Sequence, residues 1–251
     1  MRIALKIGYD GRKFNGFAMQ PNKRTIEGEI LKRLIKSKII VSREKAKFQY
    51  AARTDKGVSA FGNVIAFNCS GNAVKVLESL DDIWLTGYAF VDENFNPKRC
   101  VRKIYRYYLF NEGYDIKKIK EAAKIFQGEH NFSNFAKLNG RNPKRKIDKI
   151  NVQGTKIIKI DFIAKSFLWN QIRRIVAAII KVGRSEADIE NIKRLLECRE
   201  KGNFGLAPAK YLVLVDIIYN FSFKKILPKE VCIEKEIYED FLKYSVSQKV
   251  S

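Results

Sequence analysis

Two residues of opposite charge, Arg53 and Asp55, lie in a short polar loop in the first half of the chain. The loop spans residues 51–60 and reads Ala-Ala-Arg-Thr-Asp-Lys-Gly-Val-Ser-Ala, between two strand-like segments at 47–50 and 63–67. Catalytic groups are often carried by loops on a rigid scaffold, and a nearby arginine keeps a partly buried carboxylate ionised and nucleophilic. The alternative is a plain connecting turn, because turns favour Asp and Gly at these positions.

The overall charge points to a polyanionic partner. The 251 residues include 49 Lys and Arg against 27 Asp and Glu, a net charge of +22. Such an excess repels itself, and nucleic acid is the leading candidate to neutralise it. An anionic membrane surface fits less well, because no segment combines a strong apolar face with a basic one. The sequence has neither a membrane-spanning apolar run nor a signal peptide pattern, so we expect a cytoplasmic protein.

The metal-binding and thiol residues exclude several kinds of site. The four cysteines, Cys69, Cys100, Cys198 and Cys232, are far apart and form no Cys-x-x-Cys pair. A zinc site or a disulfide framework is therefore not expected. His130 is the single histidine, which disfavours nucleophiles activated by histidine; we interpret it as a polar loop residue.

The hydrophobic periodicity predicts an α+β fold in which the order β-α-β-β-α-β occurs twice. In the first half, strands and helices are predicted at 2–9, 25–36 with Thr25 as N-cap, on both sides of the Asp55 loop, 74–80 and 84–91. In the second half they are predicted at 104–110, 116–127, 146–152, 156–164, 170–181, from Ser185 onward, and 211–219. This order predicts two ferredoxin-like (βαββαβ) units with mixed, mainly antiparallel sheets flanked by helices.

The corresponding domains are residues 1–101, residues 102–221 and a polar C-terminal tail at 222–251. Residues 131–146 have no clear periodicity and are expected to form a long basic loop, either solvated or in contact with phosphates. In the helix at 170–181, the apolar residues form one arc with Arg173 at its edge, while Arg174 points nearly opposite.

The loop motif resembles the catalytic motif of the tRNA pseudouridine synthase A family. Further ordered blocks carry the same resemblance over residues 2–219: Tyr9-Asp10-Gly11 with Phe14, Gly16 and Gln20; residues 102–107; residues 132–135; residues 167–176; and residues 207–209. Blocks in this order are more specific than the loop alone.

The resemblance implies an enzyme that isomerises uridine to pseudouridine in tRNA without metal or cofactor, commonly at about positions 38–40 of the anticodon arm. It implies that Asp55 is the nucleophile and Arg173 its partner, that Tyr105 stacks on the flipped base and assists proton removal from C5, and that Arg53 helps to extrude the base. A homodimer is also implied. The basic residues expected to contact RNA are Lys98, Arg102, Arg141, Lys144 and Arg145.

Three departures from the usual bacterial pattern concern the choice of target. Ser59 stands where histidine is usual, and Asn170-Gln171 after Trp169 stand where His-His-Met is usual. Residues 95–98 read Phe-Asn-Pro-Lys in place of Phe-His-Ala-Arg. The first two are more similar to the archaeal and eukaryotic branch. The alternatives are a pseudouridine synthase that acts at another tRNA site and a catalytically silent RNA-binding protein, since RNA-binding domains share the ferredoxin-like topology.

Overall fold

The computed structural model of the protein describes residues 1–227 and 233–247. Up to residue 110 the elements are β1 (Arg2–Tyr9), α1 (Ile26–Lys36), β2 (Gln49–Tyr50), β3 (Ser59–Asn68), α2 (Ala73–Leu77), β4 (Ile83–Phe90) and β5 (Arg102–Phe110). They continue with α3 (Ile116–Ile125), β6 (Gly128–Asn131), β7 (Lys144–Ile147), β8 (Lys149–Gln153), β9 (Ile157–Ala164), α4 (Gln171–Gly183) and α5 (Ile189–Leu196). The last are β10 (Leu212–Ile218), β11 (Lys224–Lys225) and α6 (Ile233–Ser247).

The chain divides into two compact units, of which the first comprises Met1–Val101 and Val213–Ser251. Its sheet has the order β11-β4-β1-β3-β10, with β2 also paired to β3. All these pairs are antiparallel except that of β10 with β3. Because β1 and β3 are buried along almost their whole length, they form the centre of this unit and give the residues that follow them a fixed starting point.

The second unit comprises Arg102–Leu212. Its main sheet has the antiparallel order β5-β9-β8, and β6 and β7 form a separate two-stranded sheet. Alternate residues of β9 are buried, as expected for a strand with one covered face. Arg106 of β5 lies opposite Asp161 of β9, and its Nε and Nη2 donate to the two carboxylate oxygens at 2.7 and 2.9 Å. This paired contact stabilises the register of β5.

The predicted α+β class, with mixed and mainly antiparallel sheets flanked by helices, is confirmed. Two details of the prediction are wrong. Residues 213–221 group with the first unit, because β10 pairs with the start of β3 (Val213 opposite Ser59). Residues 131–146 are not loop throughout, because Lys144–Ile147 pairs with Gly128–Asn131, where His130 therefore lies in a strand.

The end of the chain has more regular structure than a polar tail. It contains β11, which pairs with β4, and α6, in which Ile233, Ile237 and Phe241 are buried. The side chain of Tyr244 and the whole of Cys232 lie outside the described residues. Over residues 1–227 and 233–247, no helix is long and apolar enough to cross a membrane.

Candidate active site

The loop that carries Arg53 and Asp55 is held by backbone hydrogen bonds to the chain that follows β1. Val58 N donates to Asp55 O at 3.1 Å and closes a tight turn in which Gly57 has a positive φ of 87°. Gly57 N donates to Gly11 O at 3.2 Å. A side chain at Gly11 would be blocked, because its Cβ would lie 2.0 Å from the carbonyl oxygen of Val58. The close approach of these two backbones therefore requires glycine at position 11.

A buried polar network holds the other side of the same loop. The hydroxyl groups of Tyr9 and Thr54 are 2.9 Å apart, and Asn63 Nδ2 donates to the Tyr9 hydroxyl at 3.1 Å. Asn63 also donates to Ala52 O at 2.9 Å and accepts from Ala52 N at 3.2 Å. Tyr9 and Asn63 are completely buried, so their polar groups depend on one another for hydrogen bonds. The network fixes the backbone on the N-terminal side of Asp55.

The charged side chains of the loop are left accessible. Arg53 and Lys56 are exposed and Asp55 is half-buried, whereas Thr54 between them is 5% exposed. The loop thus combines a fixed backbone with two exposed cations and a partly accessible carboxylate. A catalytic nucleophile requires this combination, because the fixed backbone holds the side chain in position while the substrate can still reach it.

Ser59, where a histidine is usual, has a structural role here. Its side chain is 1% exposed, and its hydroxyl accepts a hydrogen bond from Gly11 N at 3.0 Å. Ser59 therefore joins the start of β3 to the same segment that holds Gly57. A serine can accept this bond inside the core without burying a ring.

Tyr105, on β5 of the second unit, is half-buried and packs edge-on against Phe167 with ring centroids 5.4 Å apart. Tyr107, two residues along the same strand, is 1% exposed and belongs to the core. Burial raises the pKa of the Tyr107 hydroxyl, and the neighbouring Tyr211 adds to that shift while the charge of Arg173 opposes it. Of the two tyrosines, Tyr105 is the one that remains accessible.

Arg173 lies in the first turn of α4, just after the segment that contacts Tyr105. Its Nε donates to Ala207 O at 2.7 Å, and its backbone oxygen accepts from Ala207 N at 3.1 Å. The first bond orients the guanidinium group, and the second joins the backbone of α4 to the segment that contains Ala207. Arg174 is not simply solvent-exposed, as the helical phase had suggested: it is half-buried, and its Nη1 donates to Asn134 O at 3.3 Å.

The residues at the start of α4 explain a second departure. Asn170 has a left-handed φ of 61°, which asparagine tolerates better than most residues. Gln171 is 1% exposed, and its Oε1 accepts from Leu168 N at 2.8 Å. Gln171 therefore closes the turn that leads into the helix, a role internal to the second unit.

The basic residues predicted to contact RNA are distributed over both units. In the first unit, the exposed Lys98 places its Nζ 5.7 Å from the centre of the Tyr50 ring. In the second, Arg102 is 3.6 Å from Asp148, and Arg141 and Lys144 are exposed. Arg145 is half-buried; its Nη1 donates to the backbone oxygens of Asn142 and Lys144. Burial and the nearby charge of Arg141 lower the pKa of Arg145. Because these two arginines carry like charges close to one another, an anionic ligand would stabilise both.

Asn63 is the residue of this site that was not identified from the sequence. The available signal was a polar amide within the apolar strand that ends the loop. Elsewhere in the part of the chain that is described, no group of three or more His, Cys, Asp or Glu residues could hold a metal ion. Among the described residues, Cys69, Cys100 and Cys198 form no disulfide bond.

Comparison with known proteins relates the whole chain to one family. A family model described as tRNA pseudouridine synthase matches residues 122–220. The tRNA pseudouridine synthase A of Thermococcus sibiricus is 43% identical over 252 residues, covering 97% of this chain and 95% of that protein. The protein of the same name from Pyrococcus furiosus is 41% identical, covering 96% and 92%. Among solved structures, a Cbf5-Nop10-Gar1 complex is similar with a TM-score of 0.36 and 15% identity over 71% of this chain and 54% of that one.

Proposed function

Because this chain belongs to the tRNA pseudouridine synthase A family and isomerises uridine to pseudouridine in tRNA, we propose that its targets lie in the anticodon arm, at about positions 38–40. We further propose that Asp55 is the nucleophile. The observation that carries this proposal is the Asp55 loop itself, whose backbone is fixed by the buried Tyr9–Thr54–Asn63 network while its charged side chains stay accessible.

The isomerisation conserves all atoms. The N1–C1′ bond of the uridine breaks, the base rotates, C5 bonds to C1′, and the proton of C5 is lost as N1 gains one. Asp55 forms a transient covalent bond with the sugar or with the base and leaves when the new carbon–carbon bond is complete. An ionised carboxylate is needed for this attack, so a cation close to it favours the reactive state.

Three further side chains take part in this proposal. The guanidinium of Arg173, oriented by its bond to Ala207 O, pairs with Asp55 in the substrate complex. Tyr105, the accessible tyrosine of β5, receives the flipped base on its ring and assists removal of the C5 proton. Arg53, exposed on the loop, helps to extrude the target base. We also propose that the protein is a cytoplasmic homodimer. Light scattering of the purified protein tests the dimer.

The test combines site mapping with one isosteric variant. Wild-type protein and Asp55→Asn are incubated with unmodified tRNA transcripts, and pseudouridine is located by carbodiimide modification and primer extension. We expect product in the anticodon arm for the wild type, and tRNA affinity without product for Asp55→Asn, because this change removes only the charge. Asp81→Asn, an exposed aspartate of the same unit, is the matched control and should retain turnover.

The outcomes separate the two parts of the proposal. Product at a different site would refute the anticodon-arm assignment and leave the chemistry intact. Pseudouridine formed by pure Asp55→Asn well above background would refute the assignment of the nucleophile.

A further inference from the structure

A polar pocket of about 110 Å³ opens in the first unit beside the strand that leads into the Asp55 loop. It is lined by Arg43, Phe48, Gln49, Tyr50, Asn96 and Lys98. Tyr50 is the last residue of β2 and directly precedes the loop at 51–60. The volume is sufficient for several water molecules or for one small polar group of a ligand.

Two basic side chains, Arg43 and Lys98, line this pocket. Arg43 is oriented by Glu27, whose carboxylate is 2.8 Å from its Nε, and the arginine side chain remains 37% exposed. Glu27 is 3% exposed and also accepts from Met19 N at 2.8 Å, so its oxygens are already engaged. Lys98 has its ammonium 5.7 Å from the centre of the Tyr50 ring, which also lines the pocket.

The walls of the pocket are joined by a buried arginine. Arg2 is 3% exposed; its Nη2 donates to Gln49 Oε1 at 2.9 Å and its Nε to Phe95 O at 3.1 Å. Asn96, next to Phe95, accepts from Lys98 N through its side chain at 2.9 Å, which shapes the turn that carries Lys98. The cations of the pocket are thus presented by a preorganised frame rather than by flexible segments.

The two aromatic rings of the pocket are not arranged for base stacking. Phe48 is 3% exposed and stacks on Phe67 with ring centroids 5.7 Å apart. Phe17 packs against Tyr50 with ring centroids 4.9 Å apart, and Lys98 also lies by the Tyr50 ring. A nucleobase needs an open ring face, whereas a phosphate needs cations and amide donors. Lys98, Arg43 and the side-chain amides supply the second set.

We propose that this pocket binds one backbone phosphate of the substrate RNA strand close to the target nucleotide, and so positions the strand at the Asp55 loop. The proposal rests on tRNA being the substrate, but not on which uridine is modified. A phosphate contact anchors the strand without reading its sequence, so it acts on affinity for every tRNA alike.

The test uses two variants that keep the frame. Lys98→Gln removes one charge, and Asn96→Asp adds a negative charge while keeping the oxygen that accepts from Lys98 N. For both we expect KM for tRNA to rise roughly three- to tenfold with kcat unchanged at saturating tRNA. For Lys98→Gln, the slope of log affinity against log salt should also fall by about 1. Lys98→Arg should restore both values, and Lys75→Gln, an exposed lysine on α2, is the matched control.

Binding is measured independently by fluorescence anisotropy of labelled tRNA, so the pocket is tested even if the anticodon-arm assignment fails. A salt slope for Lys98→Gln equal to that of Lys75→Gln would overturn the proposal. A change in which uridines are modified, without a general loss of affinity, would also overturn it, because the pocket would then read a base.

Discussion

Replacing Tyr9 by phenylalanine tests whether the buried network positions the Asp55 loop. The substitution removes one oxygen atom and leaves the ring in place, so it creates no large cavity. It deletes the contact with the Thr54 hydroxyl at 2.9 Å and the bond from Asn63 Nδ2 at 3.1 Å. Asn63 keeps its bonds to Ala52, so the network is loosened rather than dismantled.

The expected cost follows from these two contacts. Each buried hydrogen bond contributes about 1 kcal/mol net, and a donor left without a partner costs somewhat more. We therefore expect Tyr9→Phe to lower the free energy of unfolding by about 2–3 kcal/mol. A loop that moves by a fraction of an ångström is a less well positioned nucleophile, so kcat should fall by about tenfold while tRNA affinity is retained.

The pH dependence of stability provides a second readout. Burial raises the pKa of the Tyr9 hydroxyl above its ordinary value of 10. Above pH 10 the unfolded chain therefore loses a proton that the folded chain keeps, and stability falls as pH rises, by up to about 1.4 kcal/mol per pH unit. Tyr9→Phe should make this alkaline decline shallower by about that amount. Tyr107 and Tyr219, whose pKa values are also raised by burial, maintain the remaining slope.

The assay is urea unfolding at pH 8 and at several values above pH 10, together with initial rates on tRNA. Tyr88→Phe, a part-buried tyrosine of β4, is the control, and Thr54→Val completes a double-mutant cycle. The reasoning predicts a coupling energy of about 1 kcal/mol between Tyr9 and Thr54. Coupling near zero, or a Tyr9→Phe protein as stable and as active as Tyr88→Phe, would refute it.

Two further predictions concern the second unit. Arg173→Ala should abolish turnover, whereas Arg174→Ala should retain it and lose about 1 kcal/mol of stability with its bond to Asn134; the reverse pattern of turnover would show that the wrong arginine was assigned to Asp55. Neutralising the basic segment at 141–146 should lower the slope of log affinity for tRNA against log salt by about 0.7–0.9 per lost phosphate contact. Neutralising three lysines of α3 should leave this slope unchanged. Equal slopes for the two variants would identify the segment as merely solvated. The segment residues to be changed to glutamine are Arg141, Lys144, Arg145 and Lys146, and the control residues are Lys117, Lys120 and Lys124.

Elements with local signals were predictable from the sequence. Thr25 caps α1 as expected, because its side chain accepts from Gly28 N within the same turn. The apolar arc of α4 is buried as its periodicity indicates, and Gly128 follows α3 with a positive φ of 96°. In each case the residues that specify the element are within a few positions of it.

The start of α5 was placed wrongly because two capping signals overlap. The segment Ser185-Glu186-Ala187-Asp188 resembles a capping box, which predicts a helix that starts at Ser185. The capping box of α5 is instead formed by Asp188 and Asn191. Ser185 has a positive φ of 60°, and its backbone N–H donates to Val182 O at the end of α4. A serine that ends one helix and one that begins the next look alike when the two helices are so close in sequence.

The hairpin of β6 and β7 was missed because its signal is not local. Its strands are four residues each and charged, so they show no clear alternation. Their pairing places Glu129 opposite Lys146 and His130 opposite Arg145 across an intervening segment of twelve residues. Cross-strand contacts of this kind become visible only when the two segments are brought together.

The candidate site also depends on contacts between residues that are distant in sequence, and here such contacts bear on function. The sequence of the loop predicts its turn and its reactive pair, Arg53 and Asp55. The side-chain bonds that hold the loop come from Tyr9, 45 positions before Thr54, and from Asn63, 9 positions after it. Both residues are completely buried, so a search limited to exposed functional groups would not identify them. Because a nucleophile depends on the backbone beneath it, substitutions at these buried positions should imitate the loss of a catalytic residue while tRNA binding, which uses exposed cations, is preserved.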